Sequence, residues 1–278
     1  MRVVKTLLQR CGDVVAFMAA ASGPQRLSLI AAALDLPKSA THRLLRELCT
    51  IGWVEQDGVD GPYRLTLRFA LLGHRVLRAT GMPDLVQPVL DALASETGEL
   101  VRLTIATDTG LEWFASAQGA RSGLVYQPAI GGNVALHATA NGKAHLATMS
   151  ETQAMRLARA GGLGMHNPTP HTIATAAALK AELTATRQRG YGIAQEEAEP
   201  GITSIAVSIR GASGAGLGTV SVGGPTFRIH AGRTEALVAA LHRAANALAT
   251  VAPKTPVHIA ERNAPQDARH DNTQGNSI

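Results

Sequence analysis

Six polar residues crowd into nine positions of the stretch "LPKSATHRLLRELCTIGWVEQDG": Lys38, Ser39, Thr41, His42, Arg43 and Arg46. Arginine can pair bidentately with phosphate or with a guanine edge, and Ser, Thr and His can donate to phosphates or base edges. A helix carrying them would hold Ser39, His42, Arg43 and Arg46 on one side, because residues three and four apart are neighbours. Leu44, Leu45, Leu48 and Ile51 take the opposite, apolar side. Such a face suits an anionic partner; a merely solvated face is the alternative.

The elements around this stretch decide between the two. Val4–Ala21 carries Leu7, Leu8, Cys11, Val14, Val15 and Met18 at helical spacing, and "SGPQ" breaks it. Ser28 is placed to cap a second helix, which Pro37 ends. Ser39 is placed to cap a third, with Gly52 as its stop. Trp53–Glu55 and Tyr63–Leu67 read as two strands around a Gly/Asp-rich turn. Helix, turn, helix and hairpin make the plan of a winged helix-turn-helix domain. Ser28 and the hairpin's Arg64 join the candidate DNA contacts, and Tyr63 is expected to pack the hairpin.

Charge supports that reading. Residues 1–82 hold 11 Lys and Arg against 6 Asp and Glu, a net +5, whereas residues 83–278 hold 15 of each. The whole excess of the chain's +5 therefore lies in the first 82 residues. A basic small domain beside a neutral larger one fits nucleic-acid binding joined to another function. Only two cysteines occur, Cys11 and Cys49, both in apolar helical patterns, so they read as small core residues. No apolar run reaches the length of a membrane span, and the N-terminus has no signal-peptide layout, so the expected location is the cytoplasm with no membrane partner.

Leu67 to about Ala79 forms a longer helical pattern, and "TGMPD" breaks the chain near Gly81–Pro83. Beyond it the order is helix (with Pro88 near its first turns), hairpin around Asp108-Thr109-Gly110, helix from about Thr139, helix ending at Gly190, hairpin with a Gly-rich turn, and a closing helix. That order predicts an α+β fold with an antiparallel sheet. The boundaries are 4–66 for the winged domain, 67–82 for a linker helix, 83–252 for the second domain and 253–278 for a disordered tail.

Enzyme signatures are missing. "NGKA" lacks the first glycine of a P-loop and the Ser/Thr after its lysine, and "GASGAGLG" is not GxGxxG. There is no GxSxG, neither cysteine has a plain histidine partner, and His137, His145, His166 and His171 lack metal-ligand spacing. Glu196, Glu197 and Glu199 read as a solvated turn rather than a metal site. No cofactor is expected. A small-molecule enzyme built on the second domain is the alternative function.

Two separated motifs carry a resemblance. "LDLPKSATHRLLRELCTIGWVEQ…YRLTLRFALLGHRVL" closely resembles the winged-helix domain of IclR-family bacterial transcription regulators. "LHATANGKAHLA" and "RQRGYGIAQEEAEPGITSIAVSIRGASGAGLGTVSVGGPTFRI" resemble that family's second domain. The resemblance covers roughly residues 4–250. It implies a DNA-binding domain, a linker helix that dimerises, and a GAF-like effector-binding domain, assembled as homodimers or dimers of dimers on double-stranded operator DNA. It also implies an effector pocket lined by Leu136, Ala138, Ala140, Asn141, Ser204, Ser221 and Gly223, suited to a small organic acid or aromatic metabolite. The chain departs from the family at Thr66, where a glycine is usual, at Asn141, where a small apolar residue is usual, and at Gly223, where a serine is usual.

Overall fold

The computed structural model describes residues 5–21, 23–128 and 134–251. The expected tail at 253–278 lies outside them. The chain separates into two compact units, residues 1–102 with 115–133, and residues 103–114 with 134–278.

The first unit opens with α1 (Leu7–Ala20), shorter than its apolar pattern because Thr6 and Gln9 close a reciprocal capping box at its start. Val14 and Met18 are buried, while Leu7 and Leu8 are exposed. α2 (Leu27–Ala33) starts at Arg26 with no side-chain cap; Ser28 lies inside its first turn and caps nothing. α3 (Lys38–Thr50) likewise starts from Pro37, with Ser39 already helical. Proline fits there because its fixed φ suits a helix start and it has no N–H to leave unpaired. Gly52, at φ +73°, ends α3 as a left-handed stop.

β1 (Val54–Gln56) and β2 (Tyr63–Leu65) then pair antiparallel, Glu55 opposite Arg64. Val14, Met18, Ile30, Leu44, Leu45, Leu48, Val54 and Tyr63 form one core, with Cys11 and Cys49 half-buried at its margin. Leu44 and Leu45 are almost fully buried, and each such side chain contributes about 1.5–3 kcal/mol of apolar transfer. Ile51 does not join that core. It follows the last helical turn and remains exposed. α4 (Leu67–Ala79) has no buried residue. Gly81, in the left-handed region at φ +66°, separates it from α5 (Met82–Thr97), which holds Pro88 in its second turn.

A five-stranded antiparallel sheet follows, built from β3 (Leu100–Thr107), β4 (Gly110–Gln118), β5 (Gly192–Gln195), β6 (Ile202–Arg210) and β7 (Gly216–Pro225) in the order β4-β3-β7-β6-β5. α6 (Ala140–Leu146) and α9 (Ala231–Ala249) pack on its central strands. α7 (Glu151–Ala160) and α8 (Ala176–Arg189) complete the second unit, α8 ending on the left-handed Gly190. α7 and β5 go beyond the order expected from sequence. β5 has only four residues, GIAQ, and a single large apolar side chain to mark it in the sequence.

Candidate functional site: an exposed donor face on α3 and a polar seam under α6

The donor face of α3 forms as the spacing predicts. Lys38, Ser39, His42, Arg43 and Arg46 are exposed, and among the described residues none of their side chains has a partner. Thr41 does not belong with them. It is fully buried, and its hydroxyl donates to Pro37 O at 3.1 Å. Its place three and four residues before Leu44 and Leu45 puts it on the buried stripe. Ser28 is exposed on α2. Arg64 is exposed too, but its Nε donates to Glu55 Oε1 at 2.6 Å, which raises its pKa. Before it could hold a phosphate it would have to leave Glu55, a weak restraint because solvent screens so exposed a pair.

In the second unit the expected pocket residues divide. Leu136 packs into the core made with Ala106, Leu111, Leu146, Ala158 and Leu179. Ala138 and Ala140 are fully buried, and Asn141 is 3% exposed. β6 and β7 pair Ser204 with Gly223, Ala206 with Ser221 and Ser208 with Thr219. Directly opposed residues share a face, and alternate residues on a strand share it too. Ala206 contacts Ala140 and Ala144, and Ser208 Oγ donates to Ala144 O at 2.9 Å, so this whole face looks toward α6. Ser204, Ser221 and Gly223 therefore lie on the face that also receives Asn141. α6 comes this close because Gly192 on β5 lacks a side chain: a Cβ there would sit 2.3 Å from Ala140 O.

Sequence reasoning missed the polar groups beside Asn141. Its Nδ2 donates to Thr219 Oγ1 at 2.9 Å, and the Thr219 and Thr104 hydroxyls meet at 2.6 Å. Thr104 and Thr219 interrupt two apolar strands at inward positions, and that interruption is their signal in the sequence. Behind them Lys143, 1% exposed, donates to Ile193 O at 2.9 Å and to Glu197 Oε1 at 2.6 Å. Glu197 is thus the partner of a buried cation and not part of a solvated turn. Burial pushes its pKa up, and the Lys143 ammonium pulls it down. Glu182 lies 3.8 Å from the same ammonium and also pairs with Arg189. His145, one turn beyond Asn141, has neither ring nitrogen bonded, and burial lowers its pKa to about 4. Among the described residues no His, Cys, Asp or Glu cluster could hold a metal.

Two family patterns match the chain. "IclR helix-turn-helix domain" matches residues 7–58, and "Bacterial transcriptional regulator IclR C-terminal" matches residues 74–250. The chain belongs to the IclR family of bacterial transcriptional regulators. The donor face of α3 therefore lies within the IclR helix-turn-helix domain, and the α6 seam lies in the IclR C-terminal domain. The chain is 31% identical to the transcriptional repressor IclR of Escherichia coli K12 over 80% of its own length and 81% of that protein's. It is 31% identical to the regulator BhcR of Paracoccus denitrificans, over 87% and 85% respectively. Among solved structures, Thermotoga maritima IclR aligns with a TM-score of 0.61 at 25% identity, over 87% of this chain and 97% of that one. A Microbacterium hydrocarbonoxydans IclR homolog, solved with 4-hydroxybenzoate, shares the fold at a TM-score of 0.68 and 24% identity, over 88% and 98%. Members of this family regulate transcription rather than catalyse reactions, and no helix among the described residues is long and apolar enough to cross a membrane.

Proposed function

We propose that this IclR-family regulator controls a metabolic, catabolic operon as an effector-responsive homodimer or dimer of dimers. The single observation that carries the DNA half is the unpartnered donor face of α3. Lys38, Ser39, His42, Arg43 and Arg46 would enter the major groove, with Ser28 and Arg64 at flanking phosphates. Two such helices in a dimer read half-sites about one helical turn apart, or a multiple of it. Leu67, Leu71, Leu72 and Val76 on α4 are 47–73% exposed, and that uncovered apolar surface supports the linker helix as the dimer contact. The functional division is residues 4–66 for DNA, 67–82 for the linker and 83–252 for the effector.

The effector reading rests on the seam under α6. Ala138 and Ala140 supply apolar walls, Asn141, Ser204 and Ser221 supply neutral polar groups, and Gly223 adds no side chain. Such a lining suits a small organic acid or a hydroxylated aromatic, and 4-hydroxybenzoate, named with the Microbacterium homolog, is a first compound to try. The effector changes operator affinity only through unequal affinity for two states of the protein.

A gel-shift titration on the gene's own upstream region tests the reading. Three cations per helix in a dimer could release about six counterions, giving a log–log salt slope on the order of −5. Equal affinity for that region and for random DNA, or no salt dependence, would sink the proposal.

A further inference from the structure

At the other end of α6 the second unit carries a small, open cleft of about 90 Å³ that the reading above does not use. Arg187 and Arg210 line it together with Tyr191, Ser208 and Thr186, and no acidic residue lines it. Its floor is Ala147, six residues and about 9 Å along the helix axis from Asn141.

The two guanidiniums are held differently. Arg187 Nε donates to Ala147 O at 3.0 Å, and its Nη2 donates to Met149 O at 3.2 Å. Those bonds fix the guanidinium plane against the end of α6. They use one edge of the fork and leave the Nη1 side without a partner among the described residues. Arg210 stands at the end of β6, where the β6–β7 register shifts, and its guanidinium has no hydrogen bond or ion pair among the described residues. The nearest acid of the adjoining network, Glu182, is already engaged by Arg189 and Lys143.

Electrostatics could cancel this. The C-termini of α6 and α8 both end at the cleft, and each carries about half a negative charge. Two guanidiniums outweigh two half charges, so roughly one positive charge is left over. Ser208 and Thr186 spend their hydroxyl hydrogens on Ala144 O and Glu182 Oε1. The donors left for a ligand are thus Arg187, Arg210 and the Tyr191 phenol. Three separate donor groups match the three terminal oxygens of a phosphate monoester better than the two of a carboxylate. The cleft is open to solvent, so the carbon part of a monoester can extend out of it.

We propose that this cleft binds the phosphoryl group of a small phosphorylated metabolite, as a second ligand site distinct from the seam at Asn141. Calorimetric titration of the full chain at constant ionic strength tests it, with inorganic phosphate, glycerol 3-phosphate, glycerol and acetate as probes. The expected result is saturable binding of the two phosphates at about 1 mM or tighter. Glycerol and acetate should give none. Arg210→Ala should weaken phosphate binding roughly tenfold or more, since a charge-assisted hydrogen bond is lost. The Arg210 guanidinium makes no hydrogen bond or ion pair among the described residues, so this variant avoids the helix-capping role of Arg187. Acetate binding as well as phosphate, no saturation by either phosphate, or an unchanged affinity in Arg210→Ala would overturn the proposal.

Discussion

Replacing Lys143 by Met keeps most of the buried stem and removes only the charge. Its ammonium lies 2.6 Å from Glu197 Oε1, an attraction of about 6 kcal/mol at an effective dielectric near 20. Desolvation of both groups offsets much of that attraction. The cost of leaving one partner behind is what a variant measures, typically about 3–5 kcal/mol. Glu197 would be such a partner, because its other oxygen, Oε2, is buried with no hydrogen bond. Thermal unfolding should therefore fall by roughly 6–20 °C, at about 2–4 °C per kcal/mol for a domain of this size. The deficit should depend on pH. Without Lys143, burial and the Glu182 charge outweigh the remaining hydrogen bond from the Gln195 backbone and raise the folded-state pKa of Glu197 further above the ordinary 4.5. An acid with a raised folded pKa favours the folded state while protonated. The deficit should thus be small below about pH 4.5 and grow as pH rises toward the raised value. Denaturant titrations of Lys143→Met, Glu197→Leu and the double variant at pH 5 and pH 7.5 measure this. The double variant should be far less destabilised than the sum of the singles. A cost below about 1 kcal/mol for Lys143→Met, or additive single costs, would refute the buried-pair account.

Three other outcomes are expected. His145 is kept neutral by burial, with a folded pKa of about 4 against 6.5, so stability should hold above pH 6.5 and drop by about 3 kcal/mol on acidification to pH 4; if His145→Leu does not flatten that drop, the imidazole is not its source. Gly192→Ala should destabilise by about 1–3 kcal/mol in thermal unfolding, because its Cβ would collide with the α6 backbone, and a neutral result would show that α6 can move away. Arg43→Ala should weaken operator binding by about 1–3 kcal/mol in fluorescence anisotropy, whereas Thr41→Ala should change stability rather than the salt slope; the reverse pattern would contradict the faces assigned to α3.

The winged half was legible because its information is local. Periodicity placed Leu44, Leu45 and Leu48 inside, and Gly52 and Gly190 marked two helix ends by tolerating positive φ. The pattern from Leu67 to Ala79 coincides with α4. Caps were less legible. Ser28 and Ser39 have the right chemistry, but the helices begin at Leu27 and Lys38, two residues too early for either to cap. At Thr41 the residue type suggested a contact while its spacing from Leu44 suggested burial, and spacing prevailed. The second unit hid its polar groups for a different reason. Lys143 and Glu197 are 54 positions apart, and Thr104 and Thr219 are 115 apart. Neither a lysine in an apolar run nor a glutamate in a loop identifies its partner, because only the packing of α6 on β5 and the adjacency of β3 and β7 bring these pairs together.

Thr66 begins α4 yet does not cap it: its hydroxyl donates to Gly52 O at 2.6 Å, and its N–H donates to Trp53 O at 2.9 Å. One turn on, Phe69 meets the Trp53 ring edge-to-face at 5.2 Å, and Arg68 lies over Gly52. The first turn of α4 is thereby clamped onto the stop that ends α3. A glycine at position 66 would have no hydroxyl to make this joint and would turn more freely. With threonine the joint behaves as a stiff coupling. Torque applied along α4 turns the α3 end with it instead of being absorbed at a hinge.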